Sequence, residues 1–273
     1  GRLDTPEYSG FCPQKHLGGT AGCHIWEGEY HGPGQVILKT FAPGRGWQQE
    51  REALRSIPKI DLPQGILTPR ILKVREQPPA LLMTRLGGTN MEQGSFSTQD
   101  WSQANRRAAR FLKSWQQQPF QDEDVMPLST ALPQRLESWI DNGKQALQKH
   151  EIDGARKRVG DGSLFSNQSR VPCHNDFQPR NWLWDGHQLA VIDFEHARPN
   201  HPAFDWVRLE VGLWQKIPEL KDEFIEEWGE LPEWASAKVM DAIIGLHAIG
   251  CIVWGHLHED REFIFEGRRI LDE

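Results

Sequence analysis

His174, Asn175 and Asp176 stand together, Asn181 follows Asp176 by five residues, and Asp193 closes the apolar run Leu189–Ile192. Between the two short apolar runs that follow Asn181 lies Asp185-Gly186, the turn dipeptide of a β-hairpin. Such a hairpin would carry the loop of Asp176 and Asn181 toward Asp193. Two carboxylates and one amide oxygen would then converge, with no Lys or Arg among those three. Oxygens of this kind suit a hard cation such as Mg²⁺, which takes one or two protein carboxylates and leaves its other positions to phosphate and water. The chemistry this implies is phosphoryl transfer.

Such a site needs elements to hold a nucleotide, and the first third of the chain has the pattern for them. Phe11–Leu17, Cys23–Tyr30 and Gln35–Phe41 read as three antiparallel strands, with Gly18-Gly19-Thr20-Ala21-Gly22 as the first turn. A glycine-rich turn lets backbone N–H groups approach phosphate oxygens, which makes Gly19 and Thr20 candidate nucleotide contacts. Lys39 interrupts the apolar strand Val36-Ile37-Leu38, where a lone ammonium needs a partner or a ligand. A helix over 47–57 offers Glu50 or Glu52 as that partner, and spacing does not choose between them. Residues 66–74 and 79–86 read as two further strands. The second ends in a hinge over Met83–Leu86, where Thr84 and Leu86 could present backbone groups to a purine edge.

Beyond Gly87-Gly88 the pattern turns helical, over 97–117, 132–150, 206–215, 219–230 and 261–271, with a polar loop expected over 151–170. The boundary divides a nucleotide-binding lobe, residues 1–86, from a catalytic and substrate-binding lobe, residues 87–273. Residues 242–257 form a strongly apolar run that is shorter than a bilayer span and carries His247 and His256, so a buried core helix is expected. At 273 residues and a net charge of −7, a nucleic-acid backbone is an unfavourable partner. Four scattered cysteines without metal spacing fit reduced thiols in a cytoplasmic protein. No membrane partner is expected, and the oligomeric state is not readable.

The glycine-rich hairpin, Lys39, Glu50, the Met83–Leu86 hinge, His174-x-Asp176-x4-Asn181 and Ile192-Asp193-Phe194 occur in this order over residues 11 to 270. In this the chain resembles the protein-kinase-like fold, and within it the aminoglycoside phosphotransferase and choline kinase family. The His-Asn-Asp opening, Gln178, Asp193-Phe194-Glu195, Asn200 and Asp205 are similar to the choline and ethanolamine kinase branch. The resemblance implies a bilobal α+β architecture: a small lobe of antiparallel sheet with one helix, and a larger, mainly helical lobe carrying the catalytic hairpin. It implies ATP and Mg²⁺, with Asp176 taking the proton of a small-molecule hydroxyl, Asn181 and Asp193 on the metal, and Lys39 on the nucleotide phosphates, held by Glu50. His174 would shape the loop and Asp205 would tie it down. The glycine loop lacks full GxGxxG spacing, and Gln178 stands where some kinases place a phosphate-contacting Lys.

The acceptor is less legible. Twelve tryptophans are present, and aromatic faces attract quaternary ammonium groups. The resemblance places Trp254 and Glu195 on the acceptor side, fitting a cationic amino alcohol such as choline. Packing of the helical lobe is the rival role for those tryptophans. The acidic run Asp222–Glu230 would suit an aminoglycoside, against a solvated helix face. A nucleotide-binding pseudokinase is the non-enzyme alternative, and GTP the alternative nucleotide. A protein-kinase role is disfavoured, because Asp205 follows Asp193 by only twelve residues, too few for a long activation segment.

Overall fold

The computed structural model describes residues 8–20, 22–32 and 34–272, with Thr20 described by its backbone alone. The Thr20 side chain therefore lies outside the described residues. In chain order the elements are β1 (Phe11–Thr20), β2 (Cys23–Tyr30), β3 (Gln35–Thr40), α1 (Arg45–Ser56), β4 (Ile66–Leu67), β5 (Ile71–Arg75), β6 (Ala80–Thr84), β7 (Thr89–Asn90) and α2 (Thr98–Gln116). There follow α3 (Leu128–Asn142), α4 (Lys149–Val159), β8 (Val171–Cys173), β9 (Trp182–Trp184), β10 (Leu189–Val191) and β11 (Arg198–Asn200). The chain closes with α5 (Ala203–Arg208), α6 (Trp214–Lys216), α7 (Glu219–Trp228), α8 (Ala237–Leu257) and α9 (Arg261–Asp272). It folds as two compact units. One holds the residues up to Trp115 together with Gln178–Arg198, the other Gln116–Phe177 together with Pro199 onward.

In the first unit a five-stranded antiparallel sheet runs in the order β1-β2-β3-β6-β5. Alternation along β3 sends Val36 and Leu38 into a cluster with Phe11, Trp26, Ala80 and Leu82, and therefore sends Lys39 to the other face. Helix α1 buries Trp47, Glu50, Ala53 and Leu54, the three- and four-residue spacing of one helical face. Glu50 is thus on the buried side, while the Glu52 side chain is 72% exposed. A second sheet, β4-β10-β9-β7, contains the hairpin. Its turn forms as the Asp-Gly signal requires: Gly186 has φ +95°, and Asp185 Oδ1 accepts the N–H groups of His187 (2.8 Å) and Gln188 (2.6 Å). Trp184 Nε1 donates to Asp100 Oδ1 at 2.9 Å, fixing the hairpin to the start of α2, where Ser97 and Asp100 cap each other.

Three expected elements come out differently. The glycine-rich segment is mostly strand: β1 continues through Gly18 and Gly19, with an irregular register there. A Cβ on Gly19 would lie 1.9 Å from Cys23 O, and its φ is +145°, so only glycine lets the two strands close up. The stretch 66–74 splits across Pro69, β4 pairing in parallel with β10 and β5 joining β6. The helix expected over 132–150 stops at Asn142, and the presumed loop after 150 holds α4, started by a Gln148–Glu151 capping box.

The second unit is helical. Its core gathers Leu132, Leu136 and Ile140 of α3, Ala155 and Val159 of α4 and one long face of α8. Helix α8 is long and apolar enough to cross a membrane, but 67% of its most apolar window is buried inside the protein, as expected for a core helix. Trp206, Trp214 and Trp228 are buried; Trp206 and Trp214 meet Phe224 edge-on, Trp228 stacks on it, and Trp206 meets both other tryptophans edge-on, so these rings pack the unit. On α7, Leu220, Phe224 and Trp228 face inward and Asp222 and Glu226 outward, the solvated acidic face.

His201, fully buried, is fixed on both ring nitrogens. Its Nε2 is hydrogen-bonded to Gln168 Oε1, and its Nδ1 accepts the Ala203 N–H at 3.2 Å. Burial first, and then the Arg135 charge, push its pKa down to about 3. The unfolded chain takes up this proton below pH ~6.5 while the folded chain does not. The His201 contribution to stability is therefore complete above pH ~6.5 and falls as pH drops, by up to about 1.4 kcal/mol per pH unit. Denaturant unfolding between pH 6.5 and 5 should show a slope more positive in the wild type than in His201→Gln by about that amount; equal slopes would show that His201 is protonated in the fold.

Candidate active site

In the first unit Lys39 is the centre of charge. Its Nζ lies 2.7 Å from Glu50 Oε2, 2.5 Å from Asp193 Oδ1 and 3.0 Å from Glu195 Oε2. The hydrogen bond goes to Asp193; the approach to Glu50 is an ion pair whose angle does not suit a hydrogen bond. Lys39 and Glu50 are 3% and 1% exposed, so their charges act at low dielectric. Glu50 Oε1 also accepts the Phe194 N–H at 3.4 Å, so one carboxylate braces both the lysine and the backbone after Asp193. The backbone of Asp193 is held at φ +67°, in the left-handed region. The hairpin brings Asn181 to the same end, because Ile192 N–H donates to Asn181 O at 3.0 Å.

Three carboxylates around one ammonium leave this cluster negative. Burial alone would lower the Lys39 pKa, but Glu50, then Asp193 and Glu195, raise it well above the ordinary value, so the ammonium is permanent. Burial pushes the Glu50 carboxyl up to about 7, with Lys39 opposing and Asp193 and Glu195 adding to the rise. The Lys39 shift expresses the excess of carboxylate around it, and the Glu50 shift expresses first its burial and then that same excess, which a cation would relieve. Ligand oxygens of Glu50, Asp193 and Glu195 all lie within 4.8 Å of one another, gathered on the Lys39 ammonium; Asp193, the most exposed of the three, and Asn181 at the same end are the hard oxygen donors that fit Mg²⁺. Cys23 Sγ lies 3.7 Å from Glu195 Oε2, and burial raises its thiol to about 12, so it forms a neutral wall. The Thr84 N–H is taken by Arg70 O at 2.9 Å, and its hydroxyl accepts the Arg70 N–H. Leu86 is half-buried just beyond.

In the second unit Asp176 sits on a tightly held loop. Asp205, fully buried on α5, accepts the backbone N–H groups of His174 (3.1 Å) and Asn175 (2.7 Å) and the Gln116 amide (3.1 Å). Asn200 donates to Asn175 Oδ1 at 2.6 Å, and Asn175 takes φ +61°, which asparagine tolerates. His174 Nδ1 accepts the Asp176 N–H at 3.3 Å. Asp205 and His174 are therefore placed to shape the loop. Arg208, three residues after Asp205 on α5, places Nε 3.2 Å from Asp176 Oδ1. Sequence reasoning missed this contact; its only trace was the one-turn spacing from Asp205. Trp254 is 40% exposed, stacked on His258 at 4.1 Å and tilted against Phe263 at 4.9 Å. Glu195, expected beside the acceptor, has its contacts with Lys39 and Cys23.

A sheet carrying a buried Lys–Glu pair, in one chain with a helical unit that pins an acid-bearing loop, defines a kinase-like phosphotransferase. The chain belongs to the phosphotransferase enzyme family (APH), whose model matches residues 28–239. Among solved structures it is similar to APH(2")-IIa in complex with gentamicin (17% identity, TM-score 0.71, covering 95% of this chain and 90% of that one). It is likewise similar to the GDP and kanamycin complex of APH(2")-IIIa (15%, 0.74, 94% and 91%) and to a thermostable mutant of APH(4)-Ia (12%, 0.69, 96% and 94%). At these identities the likeness speaks for the fold. No curated protein sequence matches the chain.

The buried pair yields a stability test. Lys39→Met strands three carboxylates, one of them buried, and should cost about 3–5 kcal/mol in denaturant unfolding. Lys39→Met combined with Glu50→Met should recover most of that loss. A double variant no more stable than the single would mean that Asp193 and Glu195 hold Lys39 without Glu50.

Proposed function

We infer that the chain transfers the γ-phosphate of ATP to a hydroxyl group of a small molecule. The observation that carries this reading is the Lys39 cluster, one permanent cation among Glu50, Asp193 and Glu195. Lys39 binds the nucleotide phosphates, oriented by Glu50, and Leu86 contributes backbone groups to the purine edge. Thr84, whose backbone N–H is already committed to Arg70, supports that hinge. Gly19 allows the β1–β2 backbone to approach phosphate, with Thr20 beside it. Asn181 and Asp193 would hold Mg²⁺, which would supply positive charge to offset the charge that develops on the transferring phosphate.

Asp176 accepts the proton of the acceptor hydroxyl as its oxygen forms a bond to the γ-phosphorus. The bond from that phosphorus to the bridging oxygen breaks and ADP leaves. Little covalent work falls to the protein, so the two backbone hydrogen bonds from Asp205 to the loop act by positioning Asp176. A pseudokinase reading is disfavoured because the lysine, its glutamate, the loop aspartate, the amide and the metal-side aspartate are all present. GTP is the rival nucleotide, a GDP complex being known for a structural neighbour.

A coupled nucleoside-diphosphate release assay with ATP and GTP over a panel of hydroxyl compounds tests this reading. Asp176→Asn should lower kcat by about 10²- to 10⁴-fold and leave the Kd for Mg-ATP within a factor of two or so. Transfer that survives this substitution would remove Asp176 from the chemistry. Unaltered Mg-ATP binding by Asp193→Ala would remove Asp193 from the metal.

A further inference from the structure

The groups packed around Asp176 in the second unit are not those of a cation cage. Arg208 Nε lies 3.2 Å from Asp176 Oδ1, with the arginine side chain 19% exposed and the aspartate 3%. Its guanidinium lies over the Phe263 ring, 5.4 Å from Cζ to the centroid, and Phe263 in turn packs on Trp254. Stacking and pairing together fix the plane of the fork. Its Nη1 and Nη2 groups make no hydrogen bond among the described residues, although an arginine carries five N–H donors. Nε pairs with the buried carboxylate by charge without a hydrogen bond, and the Nη edge of the fork is left to bind.

His247 and Cys251 also face this pair, and neither adds negative charge. Cys251 Sγ contacts His247 Nε2 at 3.4 Å, one turn apart on α8. Burial, then Arg208, hold His247 neutral, with a pKa of about 3, and burial keeps the Cys251 thiol protonated, at about 11. Glu266, the acid of α9 whose charge Cys251 feels, is engaged by Arg269 at 2.9 Å. A quaternary or primary ammonium brought to the hydroxyl-activating aspartate would meet the guanidinium at close range, where like charges repel. An oxyanion would meet a planar donor fork of the kind that binds carboxylate and phosphate in two-point fashion.

We propose that Arg208 is a specificity-determining residue and that the acceptor carries an oxyanion, a carboxylate or a phosphate, near the hydroxyl that is phosphorylated. The acceptor anion takes the free edge of the Arg208 fork and draws the guanidinium from Asp176, which is then free for the hydroxyl. This rests on the phosphotransfer reading for the role of Asp176, but the anion contact is separable from it.

The test uses the full chain with Mg-ATP and matched acceptors. Glycerate and glycerol 3-phosphate are the carboxylate and phosphate arms, glycerol the neutral control, and choline and kanamycin the cationic arm. Turnover should be confined to the anionic arm, and which of its two members is used identifies the oxyanion. Arg208→Gln should raise KM for the anionic acceptor by about 100-fold, the worth of a charge-assisted two-point contact, with KM for ATP unchanged. Asp176→Asn should lower turnover by the same factor of about 10²- to 10⁴-fold yet bind the same anion more tightly than the wild type, by calorimetry, because it releases Arg208. Turnover only with choline or kanamycin, or an anionic KM indifferent to Arg208→Gln, overturns the proposal and leaves phosphotransfer standing. Anion binding that needs Arg208 without any turnover overturns phosphotransfer and leaves the anion site standing. A fall in kcat alike for neutral and anionic acceptors, with KM unchanged, would reduce Arg208 to a positioning residue and also reject the proposal.

Discussion

A buried ammonium surrounded by more acid than it can neutralise sets the terms for the first unit. At about 3 Å and an effective dielectric of ~20, each unit-charge pair is worth about 5 kcal/mol before desolvation. Three such pairs outweigh the several kcal/mol that burying one ammonium costs, so Lys39 stays charged among Glu50, Asp193 and Glu195. The carboxylates do not fare equally. Glu50, the most buried of the three, carries the imbalance as a raised pKa. The cluster is left with more negative than positive charge, an excess that added positive charge would offset. The same excess explains why Glu50 is braced twice, by Lys39 and by the Phe194 N–H: a carboxylate that is costly to bury has to be held.

The second unit solves a different problem, that of holding one carboxylate still. Asp205 spends its charge on two consecutive backbone N–H groups and a glutamine amide. Asn200 secures the left-handed Asn175 from the other side. Both anchors lie in or beside a helical core to which α8 contributes one long buried face. In the phosphotransfer proposed for this chain, rigid support beneath the loop counts for more than the basicity of Asp176, because such transfer depends on alignment and on compensation of charge. Arg208 comes from the same helix as Asp205, one turn on. Its placement means that the helix both fixes the loop and sets the charge of the surroundings in which Asp176 works.

Local signals in the sequence carried far where the chemistry was local. The Asp185-Gly186 turn, the strand that carries Lys39 and the buried character of α8 are all short-range patterns, and the structure shows each of them. Local reasoning failed where the outcome depended on distant partners. Gly18 and Gly19 look like a loop but extend a strand, because Cys23 O closes to where a side chain would stand. The run 66–74 looks like one strand and serves two sheets, since β4 finds its partner in β10, more than a hundred residues later.

The order and identity of the acids, the amide and the lysine belong to the sequence, because phosphoryl transfer demands particular functional groups and the chain spells them out. The sequence also determined that an arrangement of sheet followed by helices would carry them, because hydrophobic period and turn chemistry act over a few residues. Tertiary structure alone decided which glutamate meets Lys39, since only the face that α1 buries separates Glu50 from Glu52. It alone decided that Trp206, Trp214 and Trp228 are packing, and that a guanidinium rather than a ring lies against Asp176. Contacts of this kind join residues far apart in the chain, and no local periodicity records them.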